Sequence, residues 1–433
     1  MSKLKSKLDY LSKDKIKKQW ESIDSKEGMS TKDKLEKLVN LSLKREERFP
    51  QKKAVFENRF TRDEDAGGFT LREFSYPLST VYGRFALEEW TRVAPESLSV
   101  IAGEDEFLDI SPMKLLFFDT ETTGLSGGTG TIPFMLGFGF FHESTFRVKI
   151  FILNDLNRED ELLEEVDRFL LEHDFSASVT YNGKGFDFPL MEARYILQRK
   201  RFPLLKLPHL DFLFAARTLW KYTYPSRKLG HLGDLLLGLS RDEDIEGSQI
   251  PAMYFNYLRS RSFELIRKIV DHNALDLVGL AGLLLLGIKY LEDISFTRDE
   301  GEILGTARLF EKYGDFDTAD RLYQTLKQSA VRDDVRSTAI KGLAIIMKKR
   351  KLYAEAAELW GALAGSGSAE SGKRLALREL SVHLEHREKD YTKAIEMVRK
   401  GLDTLDLTEA QREDFEKRYK RLKRKLKALE KEE

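Results

Sequence analysis

The stretch that most constrains this chain is KLLFFDTETTGL, Lys114 to Leu125. Leu115 to Phe118 form a short, wholly apolar run of strand formers, which reads as a strand covered on both faces. The run ends in Asp119-Thr120-Glu121, and the chain then turns through Thr122-Thr123-Gly124. Residues i and i+2 of a strand point to the same side, so Asp119 and Glu121 present two carboxylates together at the end of a buried strand. Desolvating two acids is costly without a positive partner, and a divalent cation is the usual one. A strand end fraying into water with two ordinary surface acids stays open as the alternative.

Bulk properties narrow the classes. A chain of 433 residues is too long for one typical domain, so two or three are expected. Lys+Arg and Asp+Glu balance at 72 each, so any affinity for a polyanion must come from local patches. The absence of cysteine excludes disulfides, thiolate zinc sites and cysteine nucleophiles. The opening MSKLKSKLDY lacks the apolar core of a signal peptide. The most apolar stretch, Leu277 to Ile288, reads as too short to span a bilayer. A soluble cytoplasmic protein, with no membrane partner, is the expectation.

Residues 1–48 are lysine-rich and suggest exposed helices or a partly disordered arm. Residues 49–110 are irregular, except that FTLREFSYPL (Phe69 to Leu78) alternates like a strand and is expected to add strands or a cap beside the next domain. Residues 111–295 then read as an α/β unit. After the Asp119 strand, Ile132 to Phe141 and Phe146 to Leu153 give two more strands. A helix follows over Glu159 to Glu172, then a strand over Ser176 to Gly183, then a helix starting near Phe186. The pattern predicts a mixed sheet flanked by helices. The glycine-rich LSGGTGT lacks Gly-Lys-Ser/Thr and follows two acids, so it is not a nucleotide P-loop. Ser262 to Leu286 predicts a long apolar helix interrupted by Asp271, His272, Asn273 and Asp276.

From residue 300 to 433 strand signals give way to helix formers. Phe316 with Ala319, Tyr353 with Ala356, and Tyr391 with Ala394 repeat an aromatic-x-x-Ala unit at spacings of 37 and 38 residues. In helical hairpins the small residue admits a close approach, and the aromatic is expected to fill the gap beside it. This period suggests tetratricopeptide-type helical hairpins, ending in a charged helix with a basic excess.

A two-metal phosphodiesterase needs a set of carboxylates around cations about 3.5–4 Å apart. Asp119 and Glu121 supply two acids. Asp187, in YNGKGFDFP, stands at a strand-to-helix junction with Asn182, Gly183 and Phe186. A plain helix-capping acid is the alternative there. Asp276 lies one helical turn after His272 on the long apolar helix, where an unpartnered acid would be costly. An ordinary His–Asp hydrogen bond is the alternative for that pair.

In chain order, Asp119-x-Glu121, the run from Asn182 to Asp187, and His272-x-x-x-Asp276 resemble the three motifs of the DEDD superfamily of exonucleases, which have a ribonuclease-H-like fold. The closer likeness is to the YprB-type ribonuclease-H-like proteins. FFDTETTGLSGGTGT, TYNGKGFDFP, LDFLFAARTLW, the DIEGSQIP segment and HNALDLVGL all look like that family, whose members often carry tetratricopeptide repeats C-terminally. The resemblance spans about residues 70 to 400 and rests on the three motifs together. It implies a metal-dependent nuclease of the 3′–5′ exonuclease kind, acting on single-stranded nucleic acid or strand ends. Two Mg²⁺ or Mn²⁺ ions would be held by Asp119, Glu121, Asp187 and Asp276, with His272 positioning or activating the water. Asn182 and Thr122 would contact the strand, Asp211 is a second-rank candidate near the site, and the repeats would bind a protein partner. One departure stands out. The best-known branches place Tyr three intervening residues before the last Asp, or His four, whereas here a His occupies the Tyr spacing. The rival expectation is a catalytically degenerate scaffold on the same fold, with the helical repeats carrying the function.

Overall fold

The computed structural model describes residues 60–124, 130–239, 245–365 and 369–432. The arm expected over 1–48, the first five residues of LSGGTGT, the first residue of DIEGSQIP and residues 366–368 lie outside the described residues. The chain divides into two compact units, one ending at Arg298 and one beginning at Asp299.

The first unit is built on a mixed seven-stranded sheet among the described residues. Its strands are β1 (Phe60–Asp65), β2 (Phe69–Pro77), β5 (Leu115–Thr122), β6 (Pro133–His142), β7 (Thr145–Leu153), β8 (Ala177–Thr180) and β9 (His209–Asp211), in the order β1-β2-β7-β6-β5-β8-β9. A separate two-stranded ribbon joins β3 (Val81–Tyr82) to β4 (Phe85–Ala86). β5 runs antiparallel to β6 and parallel to β8, so its backbone is paired on both edges and its apolar run is central. The strand-like FTLREFSYPL becomes β2, which pairs with β7 along its length and extends the same sheet.

Helices cover both faces. Phe118 stacks on Phe138 at 5.0 Å and meets Phe188 at 6.2 Å. That face is covered by α2 (Glu159–Leu171) and α3 (Asp187–Leu197), with Phe169 of α2 lying 5.4 Å from Phe138. Phe117 points the other way and packs edge-on against Trp90 at 5.9 Å. The long helix α6 (Glu264–Glu292) lies against β5, β6 and β7. Ahead of it come α1 (Pro95–Ala102), α4 (Phe212–Leu219) and α5 (Ile250–Ser260). The sequence suggests an apolar stretch too short for a bilayer, yet α6 as a whole is long and apolar enough to cross one by length and composition. It is instead the core helix here, because 83% of its most apolar window is buried inside the protein.

The second unit is helical throughout its described residues: α7 (Glu300–Tyr313), α8 (Phe316–Ser329), α9 (Asp333–Lys349), α10 (Tyr353–Gly365), α11 (Glu370–His383), α12 (Tyr391–Thr404) and α13 (Glu409–Glu432). Each helix packs on the next in the chain, which is the one-dimensional arrangement of a helical array. Ala319, Ala356 and Ala394 are buried in the first turns of α8, α10 and α12, as close-approach residues should be. Phe316, Tyr353 and Tyr391 are half-buried, and Tyr391 packs against the cluster that holds Ala394, as a ring filling the gap beside the small residue should. Each also carries a cation from farther along the chain: Lys349 at 4.2 Å, Arg387 at 3.8 Å and Lys425 at 5.9 Å from the respective ring centroids. A ring at a helix start has one face toward the neighbouring helix and one toward water, and a long basic side chain covers the wet face.

Candidate active site

β5 delivers Asp119 and Glu121 to the face against which α6 lies. From α6, Asn273 donates through Nδ2 to Asp119 Oδ2 at 2.8 Å. His272 Nε2 stands 3.2 Å from Asp276 Oδ2 and 3.9 Å from Glu121 Oε1. The ring therefore sits between a carboxylate one helical turn away and a carboxylate on the strand. Both acids and the ring are mostly shielded, with side-chain exposures of 13% to 17%. At that burial the imidazole is a substantial part of the surroundings that hold two acids side by side.

The pairing of β5 with β6 shows how α6 reaches Asp119. Asp119 is opposite Gly137, and a Cβ at that position would stand 1.9 Å from Asn273 Oδ1. Only glycine leaves room for the amide. Asn273 is fully buried, and its Oδ1 finds no hydrogen-bond partner among the described residues. The site thus accepts one unpaired amide oxygen in order to aim Nδ2 at Asp119. The β5–β6 ladder also shifts register between Glu121 and Thr122, a bulge that twists the strand end.

Asp187 arrives by another route. It opens α3 and accepts a hydrogen bond from Thr120 Oγ1 at 2.5 Å. The Thr120 side chain alternates with those of Asp119 and Glu121, so Asp187 is attached on the α2–α3 side of the strand. It is 5% exposed. Burial pushes its carboxyl up to about 6, helped by the charge of Asp211 and opposed by the Thr120 hydrogen bond. The structure thus brings Asp119, Glu121, His272 and Asp276 together, and it holds Asp187 at Thr120.

The remaining candidates have local partners. Thr122 Oγ1 donates to Gly124 O at 2.7 Å and closes the turn after the strand. Asp211 is buried at the end of β9, where it accepts from Asn182 N at 2.8 Å, Lys184 N at 3.1 Å and Leu213 N at 3.1 Å. It is a positioning residue for the turn that precedes Asp187. Asn182 has a left-handed φ of 74°, a conformation that asparagine tolerates better than most side chains. Gly183 follows it with a Cβ position only 2.4 Å from Thr180 Oγ1. Asn273 and Gly137 are the residues to which the sequence assigned no role. Their signals were a polar residue inside an apolar helix and a glycine inside an apolar strand.

Among the described residues no group of three or more His, Cys, Asp or Glu side chains is arranged to hold a metal ion. The donor chemistry nevertheless fits a hard divalent cation. Asp119, Glu121 and Asp276 are oxygen donors, and the protein has no thiolate to offer a softer metal.

The sequence profile of a family described as RNase_H superfamily matches residues 116–286, from β5 to the last third of α6. The chain is also 32% identical over 387 residues to the uncharacterized protein YprB of Bacillus subtilis (strain 168), covering 88% of this chain and 89% of that protein. This chain belongs to the YprB-type family of the ribonuclease H superfamily. The similarity to YprB reaches well into the helical unit, since the sheet-bearing unit ends at Arg298. The profile match in this YprB-type protein begins on the strand that carries Asp119 and Glu121 and ends on the helix that carries His272 and Asp276. Ribonuclease H superfamily membership brings a nuclease-type, nucleic-acid-binding domain with it.

Proposed function

We propose that the sheet-bearing unit is a metal-dependent nuclease, a 3′–5′ exonuclease acting on single strands or strand ends. One observation carries the reading: His272 Nε2 lies between Asp276 and Glu121 while Asn273 orients Asp119, so strand and helix present their acids to one another. Asp119, Glu121 and Asp276 would hold Mg²⁺ or Mn²⁺, and Asp187 would complete the set by leaving Thr120. When bound, such ions supply Lewis acidity at the scissile phosphate and lower the pKa of the attacking water. His272 would orient that water, or take its proton once Nε2 is released from Asp276. Asn273 fixes the rotamer of Asp119, and Asp211 fixes the turn that leads to Asp187. The helical unit is proposed to be of the tetratricopeptide type and to bind a protein partner.

A second reading, a degenerate scaffold, draws on the Asp187–Thr120 bond and on the absence, among the described residues, of three or more donor side chains arranged to hold a metal ion. The decisive experiment incubates end-labelled single- and double-stranded DNA and RNA with Mg²⁺ or Mn²⁺. Asp119→Ala and Asp276→Ala are expected to lose about 100-fold or more of the activity. Hydrolysis that survives both substitutions, or none in the parent protein with either metal, removes the nuclease assignment.

A further inference from the structure

At the carboxyl ends of β8 and β9, a cavity of about 420 Å³ opens around Tyr181, Asn182, Arg217, Arg227 and Lys228, with two leucines completing its wall. Among the described residues its lining holds three cations and no acid. None of the three forms a salt bridge with a described residue, and Arg227 spends one nitrogen on its own turn, donating from Nη1 to Tyr224 O at 3.0 Å and Pro225 O at 2.9 Å. Three like charges around one concavity repel each other and favour an anion between them.

The cavity is also well anchored. The Tyr181 hydroxyl donates to Arg227 O, which ties the 224–228 segment to the end of β8. Asp211 holds Asn182 and Lys184 by their backbone N–H groups. Position then indicates the ligand. β5, β8 and β9 are parallel neighbours, so their carboxyl ends share one edge of the sheet. Neighbouring strands stand about 4.8 Å apart, which places the end of β9 about 10 Å sideways from the end of β5. Asp119 and Glu121 lie at the end of β5, and the cavity opens at the ends of β8 and β9. A strand whose scissile phosphate reached the acids would carry its next phosphates toward the cavity. A cationic groove with an aromatic side chain is the usual way of following a single strand without reading its sequence.

We propose that this cavity is a backbone-phosphate subsite for a single nucleic-acid strand, set beside the carboxylate cluster. The inference rests on the nuclease reading, but it is tested by binding alone. Anisotropy of a fluorescein-labelled oligothymidylate of about 12 nucleotides is measured in EDTA over a range of salt concentrations. Arg217 and Lys228 are exposed, so their substitution leaves the fold intact. Each lost phosphate contact reduces the slope of log K against log salt by about 0.7 for a single strand. Arg217→Gln is expected to show that reduction, and Arg217→Gln/Lys228→Gln about twice it. Lys206→Gln, an exposed lysine outside the cavity lining, is expected to leave the slope unchanged. Unaltered slope and affinity in the double variant overturn the subsite. So does displacement of the oligonucleotide by equimolar thymidine monophosphate, which would make the cavity a free-nucleotide site. If the slopes change while metal-dependent hydrolysis is absent, the subsite stands and the nuclease reading falls.

Discussion

Asp187 carries a testable signature of its burial. Its folded-state value of about 6 lies above the ordinary 3.8, so the folded protein holds this proton to higher pH than the unfolded chain does. The stability contributed by the protonated form is fully present below about pH 4 and is lost as pH rises through 6. In the metal-free protein, Asp187→Asn is expected to raise Tm at pH 8 and to give no gain near pH 4. The gain at high pH is on the order of 3 kcal/mol at most, the equivalent of about two pKa units. A Tm difference that stays constant from pH 4 to pH 8 would sink this account. Asn273 shows the complementary case at the same scale, a neutral amide that orients an acid without changing the charge of the site. Its fit depends on one missing methyl group at Gly137.

At the scale of elements, α2 and α3 are joined by a buried ion pair. Arg194 donates from Nε to Glu159 Oε1 at 2.7 Å, and both side chains are nearly sealed from water. The pair fixes how α3, and with it Asp187, sits against the sheet. Breaking one side leaves a buried charge, so Arg194→Leu is expected to cost about 3–5 kcal/mol by urea unfolding. Glu159→Leu/Arg194→Leu is expected to recover most of that loss, since a desolvated pair gives little net stability over apolar packing. A double variant as unstable as the single one would mean that the pair specifies the docking of α3 as well. In the helical unit, Asp315 and Asp390 cap α8 and α12 by accepting from Thr318 N and Lys393 N, just before the repeated aromatics. Cap, ring and small residue thus recur as one local unit in the first turns of these helices.

For the whole molecule, the carboxylate cluster links metal binding to folding. Mn²⁺ at about 100 times its dissociation constant is expected to add about 2.7 kcal/mol of stability, read as a rise in Tm. Asp119→Ala is expected to abolish the rise. Asn273→Ala is expected to shift the Mn²⁺ concentration needed by about 10- to 100-fold, as for other residues that orient a metal ligand. An equal rise in Asp119→Ala and the parent protein would assign the metal to another place. Hydrogen exchange adds the location: new protection from Mn²⁺ should fall on β5 and the middle of α6, and the helices beyond Asp299 should be unaffected.

Much of this was legible in the sequence because it is local. An apolar run ending in two acids reads as a central strand with its carboxylates on one side, and β5 is that strand. The β6 and β7 strands, the α2 helix and the helical repeats follow from periods of 2 and 3.6 residues. His272 and Asp276 share a helix face by spacing alone, and they meet at 3.2 Å. What depends on which elements pack together could not be read this way. The choice of Asn273 as the partner of Asp119 needed the α6 crossing over Gly137. The attachment of Asp187 to Thr120 needed the helix of one face to meet a strand end that displays alternate residues to both faces. The hydrogen bonds by which Thr122 and Asp211 hold their turns could not be read from the chain either. The repeated aromatics read as gap-fillers beside the small residue, but the cations that cover their outer faces come from later in the chain. Periodicity sets which way a side chain points, whereas its partner is set by tertiary contacts between residues far apart in sequence.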